Sequence, residues 1–372
     1  MSLFSRSPVR IQPFFGYRNT ERLLIGARAL RSDPVAFERM SQWRALRTMW
    51  GQFASAEAAG VRVSLTVRRP DGVERRYGAT TDREGYAWFD IALDGDWARP
   101  ARTGWEVVEL GWENAKGPQS VEGHVMVPGQ DIRLAVISDI DDTIIETGIT
   151  GGLRNVVRNW RRMLIQLPHD RKQVAGAGGF YGELGGGRQP GQEGAAIGSR
   201  LTVSRRPFFY VSSSPWNLFP YLVAFLRGRE LPLGPMMLRD WSFDRATLGS
   251  AGHAAHKSRS IAKIMDLYPD LRFALIGDDT QGDLTAFAQT VERAPGRIAA
   301  VFIRCLGQPL SAEEIEAKTT IEGAGVPLWL GSDYDTGNAF LRTAGLAVDD
   351  ETANIVKMIE EGSYEQGSRQ ET

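Results

Sequence analysis

The chain has 372 residues, with 44 basic and 45 acidic side chains and a formal net charge of −1. That length predicts two or three domains able to fold without disulfides or a structural metal, and near-neutrality excludes a whole-molecule electrostatic grip on nucleic acid. A single cysteine, Cys305, excludes a disulfide framework or a Cys-rich zinc site within one chain. No apolar run approaches the ~20 residues that cross a bilayer. The N-terminal stretch is broken by Pro8 and Pro13 and does not read as a signal peptide. The expectation is a cytoplasmic protein.

The first third reads as β structure. Leu23 to Leu30 can form a first strand, and Trp43, Leu46, Trp50 and Phe53 recur at helical spacing. Val61, Val63, Leu65 and Val67 then alternate with polar residues, and Asp71-Gly72 marks a turn. Ala87, Phe89 and Ile91 alternate again, as do Val108, Leu110 and Trp112, and Val121 to Val127 closes the series. Short strands separated by Gly and Asp turns predict an antiparallel β-sandwich over residues 1–132. After Pro128-Gly129 the apolar runs become continuous, at 134–137, 208–211, 236–238, 273–276 and 298–303, as in strands buried on both faces. Helical patterns at 218–226 and 258–267 lie between them, so residues 133–345 predict an α/β domain with a parallel sheet. Within it, residues 176–205 begin with a Gly-rich stretch and are expected to be a flexible insertion. Residues 346–372 are expected to be a polar tail.

Chemistry concentrates where three of these strands end. The run 134–138 leads directly into Asp139, Asp141 and Asp142, followed by Thr143. Ligands bind beyond the C-terminal ends of parallel strands, and clustered carboxylates of this kind suit Mg²⁺. The run 208–211 ends in Ser212-Ser213-Ser214-Pro215, where hydroxyls ahead of a helix either hold a phosphate or simply cap the helix. The run 273–276 ends in Gly277-Asp278-Asp279-Thr280-Gln281-Gly282-Asp283. Lys257 opens a helical pattern between the second and third runs, in a chain with 6 lysines against 38 arginines. It can neutralise a phosphoryl group, or be a solvated helix-end lysine. Rival phosphate machinery is absent. The Walker-like stretch 252–258 has His256 in place of a glycine, and there is no G-x-S-x-G elbow.

Together these segments resemble the haloacid dehalogenase superfamily of phosphotransferases. Asp139-Ile140-Asp141-Asp142-Thr143, Ser212, Lys257 and Gly277-Asp278 with Asp283 stand in the order of that pattern. More narrowly, the strings 138–148, 210–217 and 276–283 resemble the actin-patch, lipin-related type of phosphatidate phosphatase. The resemblance implies a Rossmann-like sheet and an Mg²⁺-dependent phosphomonoester hydrolase. Asp139 would be the nucleophile forming an aspartyl-phosphate, and Asp141 the acid and then the base. Ser212 and Lys257 would hold the phosphoryl oxygens, with Thr143 and Ser213 beside the substrate. Asp139, Asp278 and the Asp141 carbonyl would bind the metal, with a supporting acid open between Asp279 and Asp283.

Phosphatidate is the substrate that the resemblance implies, released as diacylglycerol and phosphate. Leu153, Val156, Val157, Trp160 and Leu164 form an apolar helical stripe, and Arg154, Arg158, Arg161 and Arg162 lie elsewhere on the same helix. Such a helix can rest on an anionic membrane with Arg154 and Arg158 at the lipid, or be an ordinary packed helix. The alternatives to a phosphatidate phosphatase are a soluble small-molecule phosphatase and a non-catalytic lipid- or protein-binding module on a phosphatase scaffold.

Overall fold

Among the described residues, the first third of the chain forms nine strands, several of them with alternating inward and outward side chains: β1 (Val9–Pro13), β2 (Gly16–Arg18), β3 (Arg22–Arg31), β4 (Ala56–Glu57), β5 (Arg62–Arg68), β6 (Glu74–Thr80), β7 (Tyr86–Ala92), β8 (Gly104–Asn114) and β9 (Gly117–Val127). A computed structural model describes residues 8–31, 56–69, 71–94, 97–140, 176–189, 201–239, 250–279 and 282–347. The helical spacing at Trp43 to Phe53 falls outside these residues. So do Asp141, Asp142, Thr143, the arginine-bearing stretch with Arg154 and Arg158, and the tail beyond residue 347.

The nine strands form one hydrogen-bonded sheet, in the order β1-β3-β2-β9-β8-β5-β6, with β4 and β7 also paired to β3. Pairing is antiparallel except between β2 and β9. That parallel pair joins the β3 half to the β8 half, so strand pairing does not divide the domain into the two sheets of the expected sandwich. The inward residues of β3, β5, β7 and β8 nevertheless share one core, including Leu23, Ile25, Leu65, Phe89 and Leu110. Strand β6 offers a sequence reading little apolar alternation, only Tyr77 and Ala79, which are half-buried and pack against this core. Its Glu74, Arg75 and Arg76 are exposed, a charged edge that discourages further pairing.

The continuous apolar runs become a six-stranded parallel sheet, ordered β14-β13-β10-β15-β16-β17. Its strands are β10 (Leu134–Ser138), β13 (Phe208–Pro215), β14 (Met236–Arg239), β15 (Arg272–Asp278), β16 (Ile298–Arg304) and β17 (Leu328–Gly331). β11 (Arg188–Gln189) and β12 (Val203–Ser204) make a separate small pair. The helices are α1 (Ala177–Leu184), α2 (Phe219–Gly228), α3 (Ser250–Leu267), α4 (Asp283–Arg293), α5 (Ala312–Gly323) and α6 (Tyr334–Thr343). No helix among the described residues is long and apolar enough to cross a membrane.

The stretch 176–205 is not simply a flexible insertion, since it contains α1, β11 and β12. Phe180, Tyr181 and Leu184 of α1 are fully buried, and Phe180 stacks on Tyr334 at 4.7 Å. Glycine content hides this helix from a propensity argument, but its three large apolar side chains anchor it. The tail does not begin at residue 346. Leu346 and Ala347 are buried, and the Leu346 carbonyl accepts a 2.6 Å hydrogen bond from the buried Arg206 guanidinium.

The two parts of the chain share a core. Phe14, Tyr17, Tyr86, Trp105 and Met126 of the β-domain join the cluster built on the parallel sheet. Polar ties reinforce the seam. Asn19 Nδ2 donates to the Leu267 carbonyl at 2.9 Å, the Tyr268 hydroxyl to the Arg18 carbonyl at 3.1 Å, and Thr103 Oγ1 to the Arg205 carbonyl at 2.7 Å.

Phe180→Ala should cost about 3–5 kcal/mol in urea-induced unfolding, as expected for a buried aromatic. A flexible segment would tolerate the change with almost no loss.

Candidate active site

Strand order locates the site. The chain enters the sheet at β10, runs outward through β13 and β14, then returns to the other side of β10 with β15. A crevice opens at such a reversal, beyond the carboxyl ends of the strands. Asp139 follows β10, Ser212 lies in the last part of β13, and Asp278 ends β15, so the structure delivers all three to this crevice.

Asp139 is held by its backbone N–H, which donates to the Ile276 carbonyl at 2.8 Å. Lys257, on α3 and 1% exposed, reaches over the strand ends. Its Nζ lies 3.1 Å from Asp139 Oδ1 and also ion-pairs with Asp283 Oδ1. Asp283 opens α4 after Gly282, which sits at φ 75°, in the left-handed region that favours glycine. That turn swings the Asp283 carboxylate back, so that Oδ2 accepts the Asp278 N–H at 3.0 Å. Gly277 makes room, since a Cβ there would meet Asp283 Oδ2 at 2.5 Å. One carboxylate oxygen from each of Asp139, Asp278 and Asp283 falls within 4.8 Å of the others, and all three residues are buried.

This geometry distinguishes the two acids left open by the sequence. Asp283 faces Asp139 and Asp278. Asp279, also expected among the metal acids, instead turns both oxygens to the Leu306 N–H, at 3.1 and 3.0 Å, and stands outside the three-carboxylate group. Its half-buried position pushes its carboxyl above the usual range. Burial, reinforced by the Asp278 charge and opposed by Lys257, pushes the Asp283 carboxyl up to about 6. For Lys257 burial alone would favour the neutral amine. The charges of Asp139, Asp283 and Asp278 outweigh it and hold the ammonium above its ordinary range.

Ser212 and Ser213 are both fully buried. The helix expected to open at Pro215 does not do so, because β13 continues through Pro215 and a short 3-10 turn (Trp216–Leu218) precedes α2. Ser212 Oγ accepts the Ser214 N–H at 2.9 Å, so the hydroxyl organises its own strand end and does not cap a helix. Sequence reasoning missed Tyr181. Its hydroxyl lies 2.7 Å from Ser138 Oγ, which donates to the Asp139 carbonyl at 2.6 Å, so α1 braces the residue before Asp139. The adjacent large side chains Phe180 and Tyr181, with Leu184 one turn on, are the signal that marks α1 as a core helix. Asp141, Thr143, Arg154 and Arg158 lie outside the described residues.

Residues 134–305 match the family described as phosphatidate phosphatase APP1, catalytic domain. Asp139, Ser212, Lys257, Asp278 and Asp283 all fall inside that span, and the actin-patch-type resemblance read from the motifs is borne out there. The chain is 31% identical over 180 residues to phosphatidate phosphatase APP1 of Saccharomyces cerevisiae, covering 48% of this chain and 27% of that protein. It is 26% identical over 172 residues to an uncharacterized protein of Schizosaccharomyces pombe, covering 46% and 25%. The chain thus matches about a quarter of the length of these relatives. A solved β-glucuronidase from Parabacteroides merdae aligns with 87% of this chain and 40% of its own, at 8% identity and a TM-score of 0.29.

Removing the central cation should be costly. Lys257→Ala leaves Asp139 and Asp283 without their ammonium and should lower stability by about 3–5 kcal/mol at neutral pH. The loss should shrink as the pH falls toward about 6, because Asp283 without the ammonium takes up its proton above the value of about 6 that it has beside Lys257. Urea unfolding of both proteins at several pH values measures it.

Proposed function

We propose that this chain hydrolyses phosphate monoesters with Mg²⁺ through an aspartyl-phosphate, and that its substrate is phosphatidate, released as diacylglycerol and phosphate. The observation that carries this reading is the buried group of Asp139, Asp278 and Asp283 around Lys257, within the span that matches the APP1 catalytic family. The name of the yeast relative supports the substrate. The haloacid dehalogenase-like assignment of the parallel sheet is part of the same proposal.

The donor set fits a hard dication. It is oxygen-only and buried, and one lysine can offset only one of its three negative charges. Asp139 and Asp278 would hold the ion, with Asp283 supporting them. Bound there, Mg²⁺ would offset charge on the phosphoryl oxygens. Asp139 attacks phosphorus with one carboxylate oxygen, and the bond to the ester oxygen breaks. Asp141 protonates the leaving alkoxide, then takes a proton from the water that cleaves the acyl phosphate. Lys257 and the Ser212 hydroxyl bind phosphoryl oxygens as their charge is redistributed. The Arg154 and Arg158 stretch would guide the enzyme, cytoplasmic in this reading, to anionic lipid.

Phosphate release from phosphatidate micelles and from soluble phosphomonoesters, with Mg²⁺ or with excess chelator, tests the reaction. Turnover should require the metal, fall to background in Asp139→Asn, and favour phosphatidate. Undiminished turnover after exhaustive chelation would exclude the metal, and a preference for soluble esters would exclude the lipid. Two in-line displacements predict net retention with a substrate made chiral at phosphorus, whereas direct attack by water predicts inversion. Mg²⁺ should also raise the thermal midpoint at pH 7.5 by more than at pH 5, because a proton on Asp283 competes with the cation.

A further inference from the structure

The carboxylate end of the site is held by sheet pairing, but the serine end is not held in the same way. Among the described residues, pairing of β13 with β10 runs from Phe208 to Tyr210. On the other side, the described pairing of β13 with β14 passes from Val211 opposite Met237 to Pro215 opposite Arg239, with a register shift between them. Four steps along β13 thus face two along β14, and Ser212–Ser214 fall inside this slip. A bulge of this size re-aims side chains and leaves the local backbone less determined by the ladder.

The β-domain grips the residues that follow. Arg28, on β3 and nearly buried, spreads its guanidinium over three acceptors. Nη1 donates to Asn217 Oδ1, Nη2 to Glu57 Oε1 at 2.8 Å, and Nε to the Glu84 carbonyl at 3.1 Å. The same group lies over the Tyr86 ring, 4.6 Å from its centroid, and the Tyr86 hydroxyl donates to Asn217 Oδ1 at 3.3 Å. Beside this, Phe14 stacks on Trp216 at 4.4 Å, Trp88 meets Trp216 edge-on at 5.0 Å, and Phe14 meets Phe219 edge-on at 5.0 Å. Residues 216, 217 and 219 are therefore clamped by the β-domain immediately after the serines. A planar, five-donor guanidinium fixes direction as well as distance, so Asn217 is tied to a defined position.

We propose that Arg28, through Asn217, is a positioning residue for the phosphoryl-binding strand end at Ser212–Ser213, which makes the β-domain a working part of the active site. The proposal rests on the phosphohydrolase reading of that strand end. Displacing a substrate-positioning group by about 1 Å can cost up to a hundredfold in rate.

The full-length protein tests it. Arg28→Ala should lower kcat on a soluble phosphomonoester roughly ten- to a hundredfold. It should also speed amide hydrogen exchange across residues 212–217 while leaving β10 and β15 unchanged. Adding Asn217→Ala to Arg28→Ala should cause little further loss, since both changes cut the same link. Asn217→Asp, which keeps an acceptor for Arg28, should retain most of the activity. Arg22→Ala, on the same strand as Arg28, which removes the exposed 2.5 Å pair with Asp90 of β7, should leave both readouts unchanged. The proposal is overturned if exchange at 212–217 does not move, or if Arg28→Ala lowers only the thermal midpoint while kcat stays at the wild-type level. It is also overturned if the two losses simply add. If the wild-type protein releases no phosphate from any phosphomonoester, the hydrolase reading fails by itself, and exchange at 212–217 alone decides whether Arg28 holds the strand end.

Discussion

The constraint on which the rest depends is the burial of Lys257 against Asp139 and Asp283, with Asp278 alongside. Charges removed from water must be compensated by partners at short range, and a slack arrangement would cost more than it returns. The parts that meet here come from far apart in the chain: the ends of β10 and β15, the first residue of α4, and the middle of α3. Only a rigid scaffold keeps them registered. The central strands supply it, since β10 and β16 are buried along their whole length and β15 from its second residue onward. A sheet covered on both faces has little freedom to shear, which is what a cluster of this kind requires.

Much of this was legible in the sequence, and the reason is physical. A parallel strand buried on both faces must be apolar along its length, so 134–138 and 273–276 announce themselves, and carboxylates abutting such runs can only emerge at a strand end. What could not be read was which acid turns inward. Asp279 and Asp283 are equivalent by composition. Their separation depends on the positive φ at Gly282, on the space left by Gly277, and on the competing Leu306 N–H, which belongs to another strand's exit loop. Helix α1 was hidden for the opposite reason. Its glycines lower local propensity, while tertiary burial of Phe180, Tyr181 and Leu184 overrides it. Arg28 was equally hidden. In a strand, one arginine looks like another until a partner from a distant segment faces it.

The expected boundary near residue 132 marks a change of architecture more than a break in packing. Domains joined by mobile linkers present polar faces to each other. Here the outward face of the β-sheet is aromatic where it meets the α/β half, with Tyr17 edge-on to Phe209 at 5.9 Å and Phe15 against Phe219 at 5.4 Å. The core that begins under the parallel sheet continues through Phe14, Tyr86 and Trp105. Apolar area of this extent, with hydrogen bonds at its edges, ties the orientation of one half to that of the other.

The two sides of the crevice are therefore stabilised by different means. Asp139 and Asp278 follow or end strands whose ladder hydrogen bonds run to the last pair, Ser138 with Ile276 and Asp278 with Arg304. Their placement follows from backbone geometry and varies little with what packs elsewhere. Ser212 and Ser213 sit where the ladder slips, and the segment after them is fixed by side chains of a second domain. A ladder resists displacement cooperatively, through many parallel bonds. A clamp of one guanidinium and a few rings resists it only while those groups stay seated. The serine end is thus the half of the site whose placement depends on the β-domain, and substitutions in that domain are expected to reach the site there before they reach the carboxylates.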